Sequence, residues 1–293
     1  MGMWDRVKRI FDGGSAEQHD GSPRGPGMDP RAHFVDLAVS VAEQTYGVTD
    51  VVRNADDFSL NLTCNGETSS CYLGNMFEET RDRSPEERRE AVRRFIRSLV
   101  TQPTDSDARR AAAEAAIVPV LRTAALPAEV PNMLARPVLP FLVETVVIDQ
   151  DDCMSYLMHA DLDAWGWDER TVFERARATM AGRVADTDVE PYDGDAPYPT
   201  WHVTKHVDYE PSLLLLPGWL ASFSGRVHGR PIAAAPSHRM LVISGDGDER
   251  AIERLATLAE AEYRGAPRKI SSALYTVGDD GRIVPLVLPP GHP

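Results

Sequence analysis

From Val138 to Ile148 the chain is a run of valine, leucine, phenylalanine and isoleucine in which Glu144 is the only charged residue. A strand with one wet face alternates apolar and polar residues, so a run without alternation belongs to a central strand covered on both sides. The run falls short of the ~20 residues that span a bilayer, and so does the second apolar stretch, Leu213 to Phe223. A twice-covered strand needs layers on either side of it. At ~100–200 residues per domain, 293 residues supply one large or two ordinary domains. The fold class expected is α/β in the mixed α+β sense. It comprises two lobes, a small α-β-β-β-α lobe over 31–116 and a larger mixed-sheet lobe with flanking helices over 117–293.

The small lobe follows from local signals. Asp29 caps and Pro30 starts a helix whose apolar positions Phe34, Leu37, Ala38, Val41 and Ala42 recur at three and four, ending before Gly47. Strands are expected at Val48–Arg53, Phe58–Cys64 and Glu67–Leu73. If Asn65-Gly66 is a two-residue turn, Cys64 faces Glu67 and Cys71 faces Leu60, so the two cysteines do not meet. Ser84-Pro85-Glu86-Glu87 is a capping box opening a helix to Val100, and a further helix covers Asp107 to Ala116.

In the larger lobe the pattern predicts strands at Ile117–Arg122 and Val138–Ile148, then helices from Asp152 to Ala164 and, capped by Asp168, from Glu169 to Val184. Beyond a Pro-, Gly- and Asp-rich loop come strands at His202–Tyr209, Ile232–Ala235 and Met240–Ser244. A helix opened by Asp246 to Glu249 follows, and strands at Ile270–Val277 and Arg282–Leu288 close the chain around an Asp280-Gly281 turn.

Residues 12–30 combine Gly, Pro, Ser and charge without periodicity and read as a flexible linker. Ahead of it, residues 1–11 form an amphipathic arm with Trp4, Val7, Ile10 and Phe11 on one helical face and Arg6, Lys8 and Arg9 off it. The arm is below the ~12–15 residues needed for marginal isolated helicity, so it orders only on docking. Its own body, a protein partner groove or an anionic membrane surface are the candidate docks. The arm has no apolar core for secretion. Three cysteines without repeated spacing point to a reduced, cytoplasmic setting. A formal charge of −14 repels nucleic acid unless basic residues segregate locally, and no such patch is evident along the chain.

Two stretches carry the residue types of catalysis. Val146-Val147-Ile148-Asp149-Gln150-Asp151-Asp152 delivers Asp149 and Asp151 to the end of an apolar strand, ~6–7 Å apart, a spacing that suits shared Mg²⁺ in phosphoryl transfer. Capping of a following helix by Asp151 or Asp152 explains the same residues more simply. In His202-Val203-Thr204-Lys205-His206-Val207-Asp208 the strand reading sets His202 and His206 ~13 Å apart, too far to ligate one zinc, although His206 and Asp208 share a face. Ser212, followed by leucines, lacks a nucleophile's strained turn, and acids around Gly245-Asp246-Gly247 disfavour phosphate there. Trp165, Trp167, Trp201 and Trp219 are candidates for an aromatic pocket or for core.

The order of features in the second lobe resembles the YtpQ-like bacterial domain-of-unknown-function family. The matching pieces are Ile117-Val118-Pro119-Val120, Val147-Ile148-Asp149, Asp163 to Glu169 before a helix, Ser212 with Leu213 to Pro217, and Ala235-Pro236-Ser237 leading into Leu241-Val242-Ile243. The resemblance implies an α/β fold over roughly 31–288 and no known activity. Where the family would place an Arg-Asp pair, this chain has His238-Arg239. The function expected is that of a binding module for a protein partner or small ligand. The alternative is a Mg²⁺-dependent hydrolase or phosphotransferase using Asp149 and Asp151, with His206 as acid or base, and only that alternative implies a cofactor.

Overall fold

A computed structural model describes residues 29–54, 58–64, 66–101, 106–130, 132–150, 153–184, 189–191, 199–204, 209–266 and 268–287. Asp151, His206 and the arm residues Trp4, Val7, Ile10 and Phe11 lie outside these residues. The fold is mixed α/β. Its described part divides into two compact units, one holding the residues up to Ala115 and those of 149–155, the other those of 116–148 and from Tyr156 onward.

The smaller unit opens with helix α1, Pro30–Glu43, where the Asp29 carboxylate accepts from the Arg31 amide at 3.0 Å. Strands β1 (Val48–Asn54), β2 (Ser59–Cys64) and β3 (Glu67–Tyr72) form an antiparallel meander. Cys64 faces Glu67 and Cys71 faces Leu60, the register the two-residue turn demands. A short helix α2, Gly74–Glu79, escaped the sequence pattern. Helix α3, Pro85–Val100, opens on the capping box, in which Ser84 and Glu87 satisfy each other's amides. Helix α4 is Ser106–Ala116. Phe34, Leu60, Leu62, Val92 and Ile96 share the core. Burial pushes both free thiols up, that of Cys71 to about 12.

Next along the chain come β4 (Ile117–Thr123), the one-turn helix α5 (Leu126–Glu129), β5 (Ala135–Leu139), β6 (Leu142–Gln150) and β7 (Cys153–Tyr156), of which residues 149–155 belong to the smaller unit and the rest to the larger. The apolar run is therefore a hairpin and not one strand. Pro140 cannot continue a ladder and Phe141 turns the chain at φ 66°, so β5 and β6 pair antiparallel. β6 is central all the same, lying between β4 and β5, with every residue from Leu142 to Ile148 buried. The helix expected from Asp152 is a second correction. Residues 153–156 pair with β6, and the helix begins only at His159, as α6 (His159–Trp165). Pairing with a buried neighbour overrode local propensity there, and the helix that Asp151 or Asp152 was expected to cap does not follow them.

Helix α7, Glu169–Val184, opens where the Asp168 carboxylate accepts from the Thr171 amide at 2.9 Å, and it packs on β4. Strands β8 (Val189–Pro191), β9 (Trp201–Val203), β10 (Pro231–Ser237), β11 (Met240–Gly245), β12 (Leu274–Val277) and β13 (Ile283–Val287) build a sheet in the order β13-β12-β10-β11-β9-β8, antiparallel at every joint. Two 3₁₀ turns, Glu210–Leu215 and Leu220–Phe223, precede β10, and helix α8, Glu249–Gly265, packs on β10 and β11.

Candidate functional site: two charged clusters on opposite faces of one sheet

In the β4-β6-β5 sheet Glu144 stands opposite Leu121 on one side and Arg136 on the other, so these three share a face. The Glu144 carboxylate has no solvent exposure. Arg136 donates to its Oε2 from Nε and Nη2, both at 2.8 Å, and Arg177 of α7 donates from Nε to Oε1 and from Nη2 to Oε2, both at 2.6 Å. The Arg136 guanidinium also lies 3.9 Å over the Phe173 ring. Two cations on one anion leave an excess positive charge, and both guanidiniums are about one-third exposed, at 33% and 30%. A buried carboxylate is tolerated when its oxygens are satisfied by such forks.

Arg122 follows Leu121 on β4 and, by strand alternation, belongs to the opposite face. It is buried, donating from Nε to the Tyr156 hydroxyl at 3.2 Å and from Nη1 to the Leu121 carbonyl at 3.0 Å. His238 and Arg239 form the tight turn between β10 and β11, and the His238 amide donates to the Arg268 carbonyl at 3.2 Å. Burial, then the guanidiniums of Arg268, Arg239 and Arg122, drive the His238 imidazole down to about 3, against a hydrogen bond to the Arg268 backbone. This side of the sheet thus gathers three arginines around a neutral histidine.

Asp149 lies near the end of β6, five positions from Glu144, hence ~17 Å away and on the other face of the strand. The structure does not bring it to the Glu144 cluster. Its proposed partners Asp151 and His206 fall outside the described residues, and among the described residues no group of three or more His, Cys, Asp or Glu side chains is placed to hold a metal ion. His202 pairs across the ladder with Glu190, and burial lowers its imidazole more than that acid raises it.

Ser212 lies inside its 3₁₀ turn, where its hydroxyl accepts from the Leu121 amide at 2.9 Å and ties the turn to β4. The Gly245-Asp246-Gly247 amides are also spoken for. Asp246 donates to the Arg230 carbonyl at 3.0 Å and Gly247 to the His228 carbonyl at 2.8 Å. A Cβ on Gly245 would stand 2.0 Å from that same oxygen. The tryptophans fall into separate groups, Trp165 against Trp167 at 4.9 Å and Trp201 and Trp219 about Phe223 at 6.3 and 5.2 Å.

The arginines of both clusters carry no local sequence signal. Glu144 stands out as the one charge in an apolar run, but nothing local designates Arg136 or Arg177 as its partners. Arg122, Arg239 and Arg268 carried no motif beyond the His238-Arg239 departure. No family model, curated protein or solved structure matches the chain.

Proposed function

We propose that the protein is a binding module that takes an anionic group, a carboxylate or phosphate, at Arg122, Arg239 and Arg268. The carrying observation is that Arg122, Arg239 and Arg268 all act on the buried His238, whose amide donates to the Arg268 carbonyl at 3.2 Å, in a chain whose formal charge is −14. Guanidiniums offer paired N–H donors that match the oxygens of a carboxylate or phosphate. A histidine that stays neutral adds no charge of its own and offers the anion a polar wall. Arg239 is exposed and Arg268 half-buried, so the cluster is reachable from solvent.

Thermal unfolding of the full chain with inorganic phosphate, sulfate and citrate tests the reading. A ligand at 100 times its Kd stabilises by about 2.7 kcal/mol, a shift of a few degrees in a chain of this size. The shift should disappear in Arg239→Gln, whose midpoint without anion stays that of the parent. Anion shifts that persist in Arg239→Gln, or none with any anion, overturn the reading. A shift with Mg²⁺ that vanishes in the Asp149→Asn/Asp151→Asn double variant would replace it with metal-dependent hydrolysis or phosphotransfer.

A further inference from the structure

We propose a second site, in the smaller unit, for a nucleoside phosphate: the cleft between α1 and α3, in which Tyr46 stacks on the base and Arg93 and Arg97 hold the phosphate. The proposal does not rest on the anion site of the larger unit.

The cleft, open to solvent, has a volume of about 310 Å³ and is lined by Val41, Gln44, Thr45, Tyr46, Arg93 and Arg97. That is the low end of small-ligand sites, and the lining holds two cations and no acid. The cations belong to a segregated stripe that charge counting along the sequence did not reveal. After Glu90, α3 carries Arg93, Arg94 and Arg97 and no carboxylate. Arg93 and Arg97 are four residues apart, as are Arg89 and Arg93, and like charges at that spacing weaken a helix. The helix dipole accounts for Arg97 in the last turn but not for Arg93 or Arg89. Among the described residues Arg97 makes no ion pair, and Arg93 pairs only with Glu90 of its own helix.

Tyr46 supplies the aromatic platform. It is 99% exposed, the most exposed large hydrophobic residue described, and a ring left wholly in water gains nothing from burial. The backbone beside it lies close to α3. Gly47, which follows it, has φ +96°, and a Cβ there would stand 2.7 Å from Cγ1 of Val100 at the end of α3. The turn is thereby seated against the helix that carries the arginines. Stacking on an aromatic face next to a cation is sequence-tolerant recognition of a base with its phosphate.

Calorimetric titration of the full chain with ADP, adenosine and inorganic phosphate tests the assignment. ADP should bind, with adenosine and phosphate each at least tenfold weaker. Tyr46→Ala should weaken ADP about tenfold or more and Tyr46→Phe leave it unchanged, since the ring alone does the stacking. Arg93→Gln/Arg97→Gln should abolish binding, whereas Arg239→Gln should not alter it, which separates this site from the one in the larger unit. Far-ultraviolet dichroism and unfolding midpoints matching the parent confirm that these surface variants are folded. Absence of ADP binding, ADP affinity unmoved by Tyr46→Ala or by the arginine pair, or phosphate binding as tight as ADP would each overturn the proposal.

Discussion

The two faces of the β4-β6-β5 sheet handle buried charge in opposite ways. On one, Glu144 is an acid with two arginines on its oxygens, and attraction to the cations offsets its desolvation. On the other, His238 is a base beside three arginines, and the same kind of neighbour makes its charged form untenable, leaving it neutral with a value of about 3. One residue type in the surroundings therefore stabilises a charge on one face and abolishes it on the other. What decides is the sign of the group at the centre.

The severest break of this contrast is Glu144→Ala. It strands two partly buried guanidiniums without their acceptor, and loss of one partner of a buried pair costs about 3–5 kcal/mol. Urea unfolding should show a loss of that order. Restoring an apolar cluster with Glu144→Leu, Arg136→Leu and Arg177→Met together should recover most of it, because the lone charges, and not the missing bonds, carry the penalty. If Glu144→Ala unfolds no more easily than the parent, the carboxylate is not the anchor of that face.

The His238 face should appear as acid sensitivity. Its folded value lies below the ordinary 6.5, so the unfolded chain binds the proton more tightly. The corresponding stability is complete above pH 6.5 and is lost as pH falls toward 3. Between pH 6.5 and 5, before the carboxylates titrate, the parent's unfolding midpoint should fall more steeply than that of His238→Gln, which keeps only the smaller contribution of His202; parallel slopes would contradict the neutral buried histidine. A finer measurement uses Arg122→Gln, which removes one of the three cations. The His238 ring-proton titration followed by NMR should then move upward, whereas Arg177→Gln, which acts on the other face, should leave it in place. Smallest of all is the reference change far from both clusters: Ser84→Ala opens the capping box and should cost about 1 kcal/mol in chemical unfolding.

Legibility in the sequence followed the range of the interactions. The helix at Pro30, the capping box at Ser84 and the Cys64–Glu67 register were readable because each depends on residues within a few positions of one another. The hairpin inside the apolar run was hidden although Pro140 marked it, since a strong hydrophobic pattern masked a single breaker. The strand at Cys153–Tyr156 was misread as helix because its partner, β6, supplies the stabilisation and its own residues do not. Of the clusters, only the anomaly of Glu144 was visible. The stripe of arginines on α3 was present in the letters, but its meaning depends on Tyr46 and Gln44 lining the same cleft.

By itself the sequence determined the mixed α/β class, the caps and turns that punctuate it, and the burial of Glu144 in an apolar strand. These rest on backbone conformation and periodicity, which act over one or two turns of chain. Only the tertiary structure decided which charges meet: Arg177 reaches Glu144 from 33 positions away, and Arg122 acts on His238 from a different sheet. Electrostatic interactions depend on distance in space and on the solvent excluded from between the groups. Both are products of packing, which brings residues from different elements to a common place.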